Sequence, residues 1–95
     1  MNFLEKYGLK EEDIKKIENN YEKSLISNIS YKKDNVCLLL DYFQAHNFDL
    51  KTLLFNRLDL FLIDYQKIKK RISKYDEEKL LSYLQDDISL IDNLG

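Results

Sequence analysis

Val36-Cys37-Leu38-Leu39-Leu40-Asp41-Tyr42-Phe43 is the most apolar run of the chain and lies close to its midpoint. Wound as a helix at about 100° per residue, it puts Val36, Leu39, Leu40 and Phe43 on one stripe, with Tyr31, Leu38, Tyr42 and Ala45 as a second apolar flank. Lys33, Cys37, Asp41 and Gln44 share the narrow polar sector that remains. The pattern predicts a central helix from about Tyr31 to Ala45, covered on two sides by other elements. A short strand over Val36 to Leu40 competes with it, but no turn residues flank the run and the helical stripe continues past it.

The rest of the composition points the same way. The 95 residues are 44% apolar, with two glycines and no proline, so turn chemistry for an all-β domain is missing. The expectation is an all-α fold: one domain over residues 1–95, a compact array of about five to seven short helices around one core. Fifteen basic side chains against 17 acidic ones leave a formal charge of −2. That balance gives no general attraction to phosphates or anionic membranes, so any such affinity has to come from a local patch. Cys37 is the single cysteine, which excludes an internal disulfide and fits a reducing compartment. Met1-Asn2-Phe3-Leu4-Glu5-Lys6-Tyr7 lacks the basic start and long apolar region of a secretory signal, and the apolar runs fall far short of the roughly 20 residues needed to span a bilayer. A cytoplasmic protein with no membrane partner is expected.

Along the chain, Asn2 is placed to cap a short helix over Phe3 to Tyr7 that Gly8 ends. Glu11, Glu12 and Asp13 favour a helix start through their charge, with Ile14 and Ile17 inside and Asn19-Asn20 as a stop. A turn holding Leu25, Ile26 and Ile29 is expected next, with Ser30 capping the central helix, which ends at His46-Asn47. Asp49 caps a helix with Leu50, Leu53 and Leu54 inside, and a turn through Asn56-Arg57-Leu58-Asp59 returns Phe61 and Ile63 to the core. Asp64 caps a helix with Ile68 and Ile72 on one face and Lys67, Lys70, Arg71 and Lys74 on the other. Asp76 caps a last helix carrying Leu80, Leu81, Tyr83 and Leu84, followed by the apolar tail Ile88, Leu90, Ile91 and Leu94.

The chain also echoes itself. Asp13-Ile14-Lys15, Ile17, Asn20 and Leu25 recur as Asp49-Leu50-Lys51, Leu53, Asn56 and Phe61, and Leu80, Tyr83 and Ile91 keep the spacing of Ile14, Ile17 and Leu25. The offsets, 36 residues to the second copy and 30 from it to the third, are typical of stacked helical units, two to three of which fit this length; alternating helices and turns in any bundle also generate matches of this kind. On the stretches Tyr7-Gly8-Leu9-Lys10-Glu11-Glu12-Asp13-Ile14-Lys15-Lys16-Ile17 and Asp49-Leu50-Lys51-Thr52-Leu53-Leu54-Phe55-Asn56-Arg57-Leu58-Asp59-Leu60-Phe61, the chain resembles the mitochondrial transcription termination factor (mTERF) family. The family's repeats run helix, second helix, tight third turn, and the resemblance implies nucleic-acid binding along a basic concave surface. Where that third turn commonly begins with proline, this chain has Glu22, Leu58 and Ile88.

Catalysis needs a nucleophile beside a base, paired carboxylates in a cleft, or metal ligands at matched spacing. His46, the single histidine, reads most simply as a helix C-terminal residue, and Cys37 as a small packing residue. Glu11-Glu12-Asp13 and Asp86-Asp87 lack EF-hand spacing, and no Gly-rich phosphate loop exists. No enzymatic activity, cofactor or metal is expected. Two surfaces remain as candidates. Lys67, Lys70, Arg71 and Lys74, with Lys69 at the edge, form a basic stripe able to track phosphates, with Tyr65 or Tyr75 near enough to stack on bases; a merely solvated face is the alternative. Ile88, Leu90, Ile91 and Leu94 form an apolar tail that either closes the core or meets a partner. The first reading of function is therefore an interaction or regulatory module that binds a protein partner or its own copy, and the second is nucleic-acid binding through the basic stripe.

Overall fold

The fold is described from a computed structural model covering residues 1–93. It is all-α. Among the described residues the α-helices are α1 (Glu11–Asn20), α2 (Lys23–Tyr31), α3 (Lys33–Ala45), α4 (Leu50–Asn56), α5 (Tyr65–Ser73) and α6 (Glu77–Asp86). Three 3-10 helices accompany them, at Asn2–Tyr7, Leu58–Leu62 and Ile88–Asn93. The chain divides into two compact units, Met1–Leu62 and the segment from Ile63 onward. No described helix is long and apolar enough to cross a membrane.

In the first unit, Leu4 and Tyr7 pack from the first 3-10 helix against α1, whose Ile14 and Ile17 are buried. Gly8 ends that 3-10 helix at φ 90°, a left-handed conformation that only glycine adopts without strain. The predicted Asn2 cap does not form: Met1 holds the N-cap position and supplies no side-chain bond. At the start of α1, Asp13 accepts a hydrogen bond from the Lys10 backbone N–H at 2.9 Å. Its carboxylate also pairs with Lys51 of α4 at 3.2 Å. The Lys10 bond first, and Lys51 next among the favourable partners, hold the Asp13 carboxyl below its ordinary pKa.

Where a turn is predicted, Lys23 to Tyr31 forms α2. Small polar residues such as Ser24, Ser27 and Asn28 suggest a turn, but with neither glycine nor proline nothing interrupts the helix, and Ile29 is fully buried on its inner side. Ser30 is therefore helix interior and caps nothing. A single distorted residue, Lys32 at φ −97° and ψ 30°, joins α2 to α3: its N–H donates to the Asn28 carbonyl and its own carbonyl accepts from Val36.

The α3 helix packs against α2, α4 and the second 3-10 helix. Val36, Leu39, Leu40 and Phe43 are fully buried, and the Phe43 ring lies 5.0 Å from Phe48 and 6.1 Å from Phe61. The second flank is not covered as predicted: Tyr31 is 89% and Leu38 48% exposed, and Ala45 is exposed too. Of that flank Tyr42 is half-buried, its ring edge-on to Phe43, while the full burial falls on the stripe of Val36, Leu39, Leu40 and Phe43, four side chains that fill the space the neighbours within the unit offer. His46 holds the C-cap position, and Asn47 turns the chain at φ 65°. Asp49 caps α4 as predicted, accepting from the Thr52 N–H and hydroxyl. Long-range hydrogen bonds close the unit: Tyr21 donates to the Phe55 carbonyl at 2.6 Å, and the Tyr7 hydroxyl donates to the Asp41 carboxylate at 2.8 Å.

In the second unit α5 packs against α6, and α6 against the third 3-10 helix. Ile68, Ile72, Leu81, Leu84 and Ile91 are buried. Tyr83 is 61% exposed, because Leu81 and Leu84 set the buried face of α6.

Candidate functional site

Asp64 fixes where α5 begins, its carboxylate accepting from the Gln66 N–H at 2.8 Å. From that start the 3.6-residue period sends Ile68 and Ile72 inward and leaves Lys67, Lys70 and Lys74 exposed on the opposite side, with Arg71 half-buried between them. Lys67 and Lys74 lie seven positions apart, about 10.5 Å along the helix axis. Among the described residues, none of these cations, nor Lys69, is ion-paired with a carboxylate. The nearby acids Asp64 and Asp76 are each engaged in capping a backbone N–H, on Gln66 and Lys79 respectively.

Lys69 is exposed next to Lys70. Its ammonium stands 5.6 Å from the centroid of the Tyr65 ring, a cation–π distance. Together with Lys70 it lines an open depression completed by Gln66 and Ser73. These four residues follow the spacing i, i+3, i+4, i+7, so they form a second stripe beside the predicted one, with Lys70 common to both. Gln66 and Ser73 escaped the sequence reasoning because charge alone singles out cations; their spacing from Lys69 and Lys70 was the available signal. Ser73 is fixed by its own backbone bond, the hydroxyl donating to the Lys70 carbonyl at 2.8 Å. Tyr75 is 51% exposed, and Tyr65 is half-buried.

Comparison of the chain with protein-family models, curated proteins and solved structures finds no match.

Among the described residues, the apolar tail is divided between core and surface. Ile91 is buried, Ile88 half-buried and Leu90 38% exposed, while Leu94 lies outside the described residues. Ile91 thus belongs to the packing of the second unit, and Leu90 is the described tail residue that offers most apolar surface. Elsewhere, Cys37 is a half-buried free thiol, and the His46 ring lies against Tyr42 at 4.7 Å, tilted by 56°. Burial, and then the bond to Asp41, push the Tyr7 hydroxyl above its ordinary pKa, so it stays a neutral donor. Among the described residues, no group of three or more His, Cys, Asp or Glu side chains is placed to hold a metal ion.

Proposed function

We propose that the chain is a small helical module that binds the phosphate backbone of nucleic acid through α5. The observation that carries this reading is the exposed, carboxylate-free run Lys67, Lys70 and Lys74, backed by Arg71 and flanked by Lys69. Along B-form DNA one strand presents a phosphate about every 3.4 Å, so a stripe of about 10.5 Å faces on the order of three phosphates. The resemblance to the mTERF family is in keeping with this reading. Each unit ends in the order helix, helix, 3-10 helix: α3, α4 and Leu58–Leu62 in one, α5, α6 and Ile88–Asn93 in the other. That order supports reading the chain as two to three repeat units. The proposal assigns no catalytic step, cofactor or metal, and places the module in the cytoplasm.

Titration of labelled single- and double-stranded oligonucleotides across salt concentrations tests it. With two to three phosphates neutralised, log affinity falls with log salt at a slope of about −1.4 to −2.1 for a single strand. Lys70→Glu combined with Arg71→Glu reduces both affinity and slope. A signal insensitive to salt, or unchanged in the double variant, refutes phosphate binding.

A second reading, a module that binds a protein partner or its own copy, is favoured by the exposure of Tyr31 and Leu38 on the uncovered side of α2 and α3. Sedimentation over a concentration range tests self-association, and a strict monomer with wild-type hydrodynamics in Leu38→Lys excludes it.

A further inference from the structure

We infer that the α5 stripe of Gln66, Lys69, Lys70 and Ser73 accepts a single-stranded ribonucleotide backbone in preference to a deoxyribonucleotide one. The inference rests on the nucleic-acid reading above and adds to it which groups meet the strand and what they distinguish. Phosphate alone does not account for the chemistry of this stripe. Lys69 and Lys70 are pure donors suited to phosphate oxygens. Ser73 is different. Its hydroxyl proton is committed to the Lys70 carbonyl at 2.8 Å, and its side chain is exposed, so toward the depression the oxygen presents lone pairs. An anion has nothing to donate to such a group, whereas a sugar hydroxyl does.

Gln66 adds an amide with one acceptor and two donors at the other end of the same stripe, and among the described residues its side chain has no hydrogen-bond partner. Phosphate donors flanked by the Ser73 acceptor on one side and the Gln66 amide on the other therefore match a chain that alternates phosphates with hydroxyl groups. The ribose 2′-hydroxyl is the group that separates RNA from DNA in this respect. A single strand is the form that fits. An A-form duplex also displays 2′-hydroxyls along its wide minor groove, but at a spacing fixed by the helix, whereas an unpaired strand is free to bring phosphate and 2′-hydroxyl together onto one open helix face. Lys69, which lines the depression, is braced by its ammonium on the Tyr65 ring.

The test uses the full chain and two labelled single strands of matched sequence, one ribo and one deoxyribo, titrated by fluorescence anisotropy at low salt. The ribo strand binds tighter by about 2- to 10-fold, the range of one added hydrogen bond. Ser73→Ala brings the two affinities together by weakening only the ribo strand, and Ser73→Thr, which keeps the hydroxyl, retains the preference. Lys69→Ala with Lys70→Ala weakens both strands. Helicity by circular dichroism confirms that each variant is folded. Equal affinities in the parent chain, or a preference that survives Ser73→Ala, overturn this inference while leaving phosphate binding intact. Failure to bind either strand overturns both.

Discussion

Leu38 and Leu39 are chemically identical neighbours on α3, and truncating each to alanine separates the buried face of that helix from the open one. Leu39 has no exposed surface, while Leu38 keeps 48% of its own. Leu39→Ala removes buried methyl groups from the stripe that α2, α4 and Leu58–Leu62 enclose, and costs about 2.7–5 kcal/mol if the hole does not collapse. Leu38→Ala removes side-chain surface that is already half in water, and leaves no enclosed cavity. Its cost is about 1 kcal/mol or less. Against a total stability of roughly 5–14 kcal/mol for a chain of this length, the first change is severe and the second mild. Urea unfolding followed by far-ultraviolet circular dichroism reads both. With a slope near 1–1.5 kcal/mol/M, Leu39→Ala lowers the midpoint by about 2–5 M and Leu38→Ala by less than about 1 M. Near-equal losses above about 2 kcal/mol would mean that the Leu38 flank is covered after all, and near-neutral effects at both positions would refute α3 as the scaffold.

Further outcomes follow from single residues. Gly8→Ala puts a side chain at φ 90°, where the added Cβ meets no neighbour, so its cost of about 1–2 kcal/mol is backbone strain alone and appears as a lowered urea midpoint. Tyr7 has its folded pKa raised above the unfolded value of about 10, so its contribution to stability is fully present below pH 10 and is lost as pH rises beyond it. Tyr7→Phe costs about 1 kcal/mol near neutral pH by removing the bond to Asp41, and the difference between the two proteins shrinks above pH 10; a constant difference across that range would count against the buried hydroxyl.

Much of this architecture is legible locally. Asp49, Asp64 and Asp76 were readable as N-caps because a carboxylate ahead of an apolar periodic run has one favourable use, and all three cap. Gly8 was readable as a stop for the same kind of reason. The Lys23 to Tyr31 segment was not, since serines and asparagine suit a turn as well as a helix, and only packing of Ile29 decides between them. At the candidate site, the cations of α5 stood out by charge, whereas Gln66 and Ser73 gain meaning only from sharing a depression with Lys69 and Lys70.

Sequence alone determined that Val36 to Phe43 is helical and apolar on two flanks, because side-chain periodicity is a property of one segment. Tertiary structure decided that only one flank is fully buried, because burial depends on how much space neighbouring elements leave, and Val36, Leu39, Leu40 and Phe43 fill it. It likewise decided that the Ser73 oxygen faces outward as an acceptor, since that depends on where its proton goes: to the carbonyl of Lys70.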